Sequence, residues 1–219
     1  MTDARTLLWS ARVVLLDFDG PVTALMPAPL NRQAADSARA ALARPGIEPA
    51  EVRETSDHLA IIRWTGAHAP DALPAVEEVC IEAELEAART SQPTPGAHEL
   101  IGALYDAGVP IVIVTNNAAV ARTYAERFDL AGCIRSVVGR PAHQPELMKP
   151  NPPSVEIALQ IAGVPPPEAV LIGDSVSDVV VVQTVGVRVV GYAKNPCRGR
   201  ELARAGADAL AETISDVAS

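Results

Sequence analysis

The sequence is poor in aromatic residues and cysteine. Only 3% of its 219 residues are aromatic, although 48% are hydrophobic, so we expect a core built from Ala, Val, Leu and Ile. The three cysteines, Cys80, Cys133 and Cys197, lie far apart and show no CxxC or zinc-ligand spacing. They indicate reduced thiols that pack within the fold. A disulfide-stapled miniprotein is therefore excluded.

The sequence also lacks a run of basic residues and a long apolar run. The net charge is −9, from 27 acidic and 18 basic residues, and the chain therefore does not carry the basic patch of a nucleic-acid-binding protein. No stretch is apolar for long enough to be a secretion signal or to cross a membrane. We expect a cytoplasmic globular protein that contacts neither nucleic acid nor membrane.

Short β-branched runs that end in polar residues recur along the chain and predict the buried strands of a parallel sheet. Helical patterns separate them, so we predict an α/β fold with a Rossmann-like, doubly wound parallel sheet. The run Val179–Val182 has strand propensity, but its position between a polar loop and Gly186 favours a helix. The predicted strands are Val13–Asp17, Ile111–Thr115, Ser136–Val138, Ala169–Gly173 and Val187–Gly191, and the predicted helices are Gly96–Ala107, Ala118–Phe128, Ser154–Ala162 and Arg200–Ala205.

Residues 22–94 interrupt this alternation, because they contain no strand-like run. This segment is rich in Ala, Glu and Arg and is interrupted by prolines. It predicts three helices, Asn31–Arg44, Pro49–Arg63 and Asp71–Arg89. We therefore predict that residues 1–20 and 95–219 form the α/β domain and that residues 21–94 form an inserted α-helical cap.

Asp17 and Asp19 end the first predicted strand, in the sequence LLDFDGPV. An extended chain places both side chains on one side, and carboxylates this close repel one another unless a cation or a proton lies between them. Their oxygens suit Mg²⁺, which takes one or two carboxylates together with a phosphate. A solvated acidic turn explains the same two residues equally well.

Three further motifs follow predicted strands or lie in loops. Thr115 and Asn116, in VTNNAA, suit either a phosphate oxygen at a helix N-terminus or a simple helix cap. Lys149 is one of only two lysines and lies between Met and Pro; it suits the neutralisation of a phosphate or carboxylate, or a solvated surface. Asp174 and Asp178, in VLIGDSVSD, suit a shared cation or a capped turn.

Taken in order, these motifs read DxDG, T, KP and GDSxxD, and over essentially the whole chain the sequence resembles the haloacid dehalogenase superfamily. The insertion after the first motif and the tail, VRVVGYAKNP followed by ELARAGADAL, resemble its C1-capped branch of phosphoglycolate phosphatases and β-phosphoglucomutases. The resemblance implies a Mg²⁺-dependent phosphatase that acts on a small phosphorylated metabolite. Asp19 agrees with the phosphatases, since the dehalogenases lack this acid.

The resemblance also implies a role for each motif residue. Asp17 would be the nucleophile that forms an aspartyl-phosphate, and Asp19 would be the general acid and then the base. Thr115, the Asn116 backbone and Lys149 would hold the transferring phosphoryl group, and Lys149 would also orient Asp17.

The same resemblance implies the ligands of Mg²⁺. The Asp17 carboxylate, the Asp19 carbonyl oxygen and the Asp174 carboxylate would bind it, and Asp178 would act through water or from behind these ligands. Phosphoryl transfer depends mainly on positioning and charge neutralisation, which a cation and a lysine supply.

In this family the cap closes over the leaving group, and the segment RWTGAHAP is one source of contacts. Arg63, Trp64 and His68 are its candidates for substrate binding, with Arg53 and His58 as further cap residues of suitable chemistry. A buried tryptophan that anchors the cap helices, with surface Arg and His, is the alternative interpretation.

Two other functions stay open at this point. A phosphomutase of the β-phosphoglucomutase type uses the same residues, and a non-catalytic binding protein can use the same fold. The family that the sequence resembles contains both monomers and homodimers, and the sequence does not distinguish between them.

Overall fold

The computed structural model describes residues 3–43 and 50–218, and within them six parallel strands form one sheet in the order β3-β2-β1-β4-β5-β6. This is a doubly wound order, in which the chain changes direction between β1 and β4. The predicted Rossmann-like sheet is thereby confirmed. The strands are β1 Val13–Leu16, β2 Ile111–Val114, β3 Ser136–Val138, β4 Ala169–Gly173, β5 Arg188–Tyr192 and β6 Ala209–Ala211.

Helices connect the strands and also form the insertion that follows β1. The described helices are α1 Ala4–Trp9, α2 Leu30–Leu42, α3 His58–His68, α4 Leu73–Thr90, α5 Ala97–Asp106, α6 Ala118–Arg127, α7 Pro153–Ala162, α8 Val176–Val185, α9 Pro196–Ala205 and α10 Ser215–Ala218. We call α2, α3 and α4 the cap helices. None of the helices in residues 3–43 and 50–218 combines the length and apolar character that a membrane crossing requires.

The prediction of one helix over Pro49–Arg63 is wrong. Ala50–Val52 is a short 3-10 turn, and α3 begins only at His58. The Asp57 carboxylate accepts hydrogen bonds from the backbone N–H groups of Leu59 and Ala60, at 2.9 and 3.2 Å, and so fixes the start of the helix there. Arg44 and Pro49, two of the predicted helix ends, lie outside the described residues.

The prediction that Val179–Val182 is helical is confirmed, since these residues lie within α8. The Ser175 side chain and Asp178 form a reciprocal capping box at the start of this helix. Val179, Val181 and Val182 are buried against the sheet, whereas Val180 is 39% exposed. The burial of the three valines outweighs the weak helix propensity of this residue type.

The sheet is buried on both faces, as β1 illustrates. Val14 and Leu16 belong to an apolar cluster that includes residues of α1, α5, α6 and α10. Val13 and Leu15 belong to a second cluster, with residues of α7, α8 and α9. Alternate residues of one strand thus face two helical layers, which explains why the strand is apolar throughout.

The cap helices have an apolar core of their own, which includes Leu42, Ile61, Val76 and Cys80. Met148, from the loop between β3 and α7, also belongs to this cluster and is almost fully buried. The cap helices therefore pack together, and they contact the α/β part through Met148 and through Ala87 and Ala88 of α4, which belong to the apolar core of the sheet.

The chain enters and leaves the insertion at neighbouring points. Thr94 N–H donates to the Val22 carbonyl oxygen at 2.9 Å, and the Thr23 hydroxyl donates to the Gln92 carbonyl oxygen at 2.7 Å. Gly20 adopts a left-handed φ of 108°, a conformation that glycine adopts at low cost, and turns the chain towards this junction.

Leu104 and Tyr105 test the α5 side of the core as a neighbouring pair. Leu104 is fully buried and Tyr105 is 55% exposed. We expect Leu104→Ala to lower the free energy of unfolding by about 2–5 kcal/mol, because it leaves a cavity in a packed core. Tyr105→Ala should change it by less than about 0.5 kcal/mol. Urea denaturation followed by circular dichroism measures both values, and equal effects would contradict this packing.

Candidate active site

Three neighbouring strands of the sheet, β2, β1 and β4, end in polar residues at one edge. Asp17 follows β1, Thr115 follows β2 and Asp174 follows β4. The backbone ladder continues beyond the strand ends, since Asp17 N–H donates to the Ile172 carbonyl oxygen at 2.9 Å. The side chains therefore converge at the carboxyl edge of the sheet, where doubly wound folds bind their ligands.

Lys149 lies at the centre of this edge, and its side chain is only 4% exposed. Its Nζ donates to Asp17 Oδ1 at 2.5 Å, to Asp178 Oδ1 at 2.7 Å and to the Val114 carbonyl oxygen at 3.2 Å. All three ammonium donors are thus used. Lys149 N–H also donates to Asn116 Oδ1 at 3.2 Å, which fixes the lysine backbone.

Asp17, Asp174 and Asp178 form a buried acidic cluster, with one carboxylate oxygen of each lying within 4.8 Å of the others. Burial and the charge of Asp178 raise the pKa of Asp17 well above its ordinary value, although Lys149 opposes the shift. Burial alone would lower the pKa of Lys149, but the two carboxylates raise it. Lys194 Nζ, which is partly exposed, lies 2.6 Å from Asp174 Oδ2.

This cluster fits a divalent cation. Three buried carboxylates meet two ammonium groups, the buried Lys149 and the partly exposed Lys194, so the site has excess negative charge and offers hard oxygen ligands. Gly20 leaves room for this arrangement, because a Cβ at that position would lie 2.5 Å from Asp174 Cγ. The residues predicted to bind Mg²⁺ through their carboxylates, Asp17 and Asp174, both belong to the cluster, and Asp178 is its third member.

Asp19 lies apart from the three clustered carboxylates, with its side chain open to the cavity described below. Its Oδ1 accepts a hydrogen bond from Leu25 N–H at 2.9 Å. The burial of the surrounding site, together with the charge of Asp174, raises the pKa of Asp19 to about 6. Its carboxylate therefore lies outside the acidic cluster and is available to a ligand in the cavity.

The loop after β2 supplies neutral donors and acceptors. The Thr115 hydroxyl oxygen accepts a hydrogen bond from Asn117 N–H at 3.3 Å, and Thr115 N–H donates to the Val138 carbonyl oxygen at 3.0 Å. Thr115 and Asn116 both line the cavity. They stand before α6, where backbone N–H groups favour an anion.

A cavity of about 230 Å³ lies between the strand ends and the cap helices. The cap side of its lining includes His58, Arg63 and Glu84, and Arg63 Nη2 donates to the Lys149 carbonyl oxygen at 3.0 Å. The α/β side of its lining includes the motif residues Asp17, Asp19, Thr115, Asn116, Lys149 and Asp174.

Of the predicted cap contacts, Arg63 lies at the cavity, whereas Trp64 and His68 do not line it. The Trp64 and His68 rings stack on one another with centroids 4.6 Å apart, and Trp64 Nε1 donates to Glu51 Oε2 at 3.0 Å. Trp64 is one residue further along α3 than Arg63, so it points about 100° away around the helix. Arg53 also lies outside the lining.

Sequence reasoning missed a polar chain that joins the cap to the α/β part. His58 Nε2 lies 2.8 Å from Glu84 Oε1, and Asn117 Nδ2 donates to Glu84 Oε2 at 2.7 Å. Glu84 is buried. One signal for it was available: Glu77 and Glu84 lie seven residues apart on the face of α4 that also carries Val76 and Cys80.

The fold and the site together define the class of protein. It is a doubly wound α/β protein with aspartates and a lysine at the sheet edge where the strand order reverses, and with the cap helices over that edge. The sequence model of the haloacid dehalogenase-like hydrolase family matches residues 11–186 of this chain. The chain belongs to this family of hydrolases, as the sequence resemblance predicts.

Two curated relatives are phosphoglycolate phosphatases. The protein of Rhodospirillum rubrum is 36% identical over 107 residues, which are 47% of this chain and 44% of that protein. The chain thus spans less than half the length of this relative. The protein of Pseudomonas fluorescens is 26% identical over 211 residues, which are 88% of this chain and 73% of that protein.

Solved structures share the fold at low sequence identity. CbbY of Rhodobacter sphaeroides, in complex with xylulose-1,5-bisphosphate, has a TM-score of 0.72 at 20% identity, covering 94% of this chain and 95% of its own. A protein described as a putative β-phosphoglucomutase of Thermotoga maritima has a TM-score of 0.64 at 22% identity, covering 94% and 97%.

The chain's two lysines provide a matched test of the site's electrostatics. In the absence of divalent cations, we expect Lys149→Met to lower the free energy of unfolding by about 3–5 kcal/mol, because it leaves two buried carboxylates without their cation. Lys194→Met should cost less than about 1 kcal/mol, since the Lys194 side chain is 43% exposed. Urea denaturation in EDTA gives both values. A loss at Lys149 no greater than that at Lys194 would contradict the buried ion pairs.

Proposed function

We propose that this protein hydrolyses a small phosphate monoester through an aspartyl-phosphate on Asp17. The observation that carries the proposal is the buried carboxylate of Asp17 at the sheet edge, bound by Lys149 at 2.5 Å and beside Asp174 and Asp178. Membership of the hydrolase family supports it, as do the two relatives named phosphoglycolate phosphatase.

In the first step, an Asp17 oxygen attacks phosphorus and the bond from phosphorus to the leaving oxygen breaks. Lys149 Nζ binds Oδ1 of Asp17, so Oδ2 is the oxygen available for attack. Asp19 donates its proton to the leaving oxygen and releases the alcohol. Its place in the cavity, outside the acidic cluster, suits this role.

In the second step, Asp19 accepts a proton from a water molecule whose oxygen attacks the phosphorus of the aspartyl-phosphate. The bond between phosphorus and the Asp17 oxygen breaks, and inorganic phosphate leaves. Thr115 and the Asn116 backbone hold the phosphoryl oxygens through both steps, and Lys149 balances their charge. At the end both aspartates regain their starting protonation states.

The acidic cluster fits Mg²⁺, with the Asp17 and Asp174 carboxylates and the Asp19 carbonyl oxygen as its ligands and Asp178 acting through water or from behind them. When bound, the cation supplies positive charge to the phosphoryl oxygens. The chain itself supplies Lys149, which keeps Asp17 and Asp178 together whether or not the cation is present.

The small cavity favours a metabolite with few atoms beyond its phosphate. A volume of about 230 Å³ lies below the range of about 300–1,000 Å³ that is usual for drug-sized ligands. The names of the curated relatives make 2-phosphoglycolate the first compound to test. The xylulose-1,5-bisphosphate bound by the CbbY neighbour makes sugar phosphates the second.

A phosphomutase is the second candidate function, favoured by the likeness of the fold to the Thermotoga protein described as a β-phosphoglucomutase. It would return the phosphoryl group to a sugar phosphate instead of water. Reaction in ¹⁸O-labelled water separates the two functions. A phosphatase places one solvent oxygen in the released phosphate, whereas a mutase yields an isomeric sugar phosphate without solvent oxygen.

The proposal predicts metal-dependent phosphate release that needs Asp17. We expect turnover of at least one ester in a panel of small phosphomonoesters with Mg²⁺, and its loss in EDTA. Asp17→Asn should reduce kcat/KM by about 10³-fold or more, because it removes the nucleophile. Colorimetric phosphate release measures both effects.

Asp106→Asn serves as the control, since Asp106 is an exposed acid at the end of α5, away from the cavity. It should keep wild-type turnover. Retained turnover in Asp17→Asn would overturn the aspartyl-phosphate mechanism. No phosphate release from any ester, together with tight binding of one of them, would favour a non-catalytic binding protein.

A further inference from the structure

The cap side of the cavity carries a buried histidine, His58. His58 is the first residue of α3 and is 6% exposed. Its Nε2 lies 2.8 Å from Glu84 Oε1. Within residues 3–43 and 50–218 no hydrogen bond reaches its Nδ1. His58 lines the cavity, where a ligand or water can complete the hydrogen bonding of this nitrogen.

Glu84 fixes which nitrogen of His58 carries a hydrogen. An ionised carboxylate only accepts hydrogen bonds, so Nε2 is the donor. Glu84 accepts a second hydrogen bond from Asn117 Nδ2 at 2.7 Å. Burial alone would lower the pKa of His58, but the hydrogen bond and charge of Glu84, with smaller effects of Asp57 and Asp19, raise it. This raised pKa favours the doubly protonated ring, with a hydrogen also on Nδ1.

Two of the acids near His58 already have two hydrogen-bond partners each. Asp57 accepts from Leu59 and Ala60 N–H, and Glu84 is bonded to His58 and Asn117. Arg63, by contrast, uses only one of its five N–H donors within the described part of the chain. The cap therefore presents the cavity with spare hydrogen-bond donors.

We propose that His58, held by Glu84, is the residue with which the cap selects the leaving group, and that this group carries an anionic oxygen such as a carboxylate. The inference deepens the proposed phosphatase function and rests on it. His58 Nδ1–H donates to the anionic oxygen, and Arg63 provides a second donor. Glu84 is a positioning residue, which holds the His58 imidazole and joins the cap helices to Asn117 in the loop after β2.

Two esters of equal length separate this role from phosphate binding. 2-Phosphoglycolate carries a carboxylate where 2-hydroxyethyl phosphate carries a neutral hydroxymethyl group. Dissociation constants are measured by titration calorimetry with Mg²⁺ in the Asp17→Asn protein, so that turnover is not needed. We expect 2-phosphoglycolate to bind about 10- to 100-fold more tightly, and His58→Gln to remove most of this difference.

The positioning role of Glu84 has its own comparison. Glu84→Gln should also reduce the preference for the carboxylate, because the amide holds Asn117 but no longer carries the charge that protonates His58. Glu77→Gln is the matched control: Glu77 is another buried acid of α4, which meets Arg140 and His143 of the α/β part away from the cavity. It should keep the preference even if it lowers stability.

Each outcome bears on the inference. Loss of affinity for both esters by the same factor in His58→Gln, or no change for either, would overturn it, as would equal binding of the two esters to the parent protein. Loss of the preference in Glu77→Gln as well would show that cap packing alone is responsible. If the preference depends on His58 but the wild-type protein releases no phosphate, the recognition stands and the proposed function fails.

Discussion

Lys149 and its two carboxylate partners are the interaction on which the site depends. A buried ammonium between Asp17 and Asp178 joins the end of β1 to the start of α8. Removing the lysine charge leaves two carboxylates buried without their cation, which is far more costly than losing an exposed ion pair. The geometry is held from outside as well, since Asn116 binds the lysine backbone and Ser175 binds Asp178.

The sheet order explains why this interaction forms where it does. The chain changes direction between β1 and β4, so α5 and α8 pack on opposite faces of the sheet and side chains from the ends of both strands reach the same space. Gly20 and Gly173 make the approach possible, because a Cβ at either position would collide with the carboxyl group of Asp174 or with Asp178. The acidic cluster thus depends on the strand order and on glycine at positions 20 and 173.

The fold and the α/β half of the site follow from local sequence patterns, and the cap half does not. Asp17, Thr115 and Asp174 stand at the ends of apolar runs, so the carboxyl edge of a parallel sheet brings them together without further information. Ala209–Ala211 was missed as a strand because Ala-Leu-Ala contains no β-branched or aromatic residue, and only its pairing with β5 makes it a strand. The start of α3 after Asp57 was missed because the residue that caps a helix N-terminus is recognised by its hydrogen bonds more than by its type.

His58, Glu84 and Asn117 could not be joined from the sequence, since they are brought together only by the packing of α3, α4 and the loop before α6. Acidic residues on a helix are usually solvated, and only the apolar neighbours of Glu84 on α4 indicate that it is buried. For the same reason the sequence names His58 only as a further cap residue of suitable chemistry and favours Trp64 and His68, which do not line the cavity. Helical periodicity gives the relative directions of two residues but not which direction faces the ligand.

Met148 has a consequence for how the two parts of this protein can be separated. Its side chain belongs to the apolar core of the cap helices, while the next residue supplies the ammonium group of the site, and Arg63 of the cap binds that residue's carbonyl oxygen. The loop that carries Lys149 therefore contributes both to the apolar core of the cap helices and to the active site. The insertion is not an exchangeable module bounded by its two junctions: a foreign cap grafted at residues 21–94 would have to bring a matching loop around position 148, far along the chain.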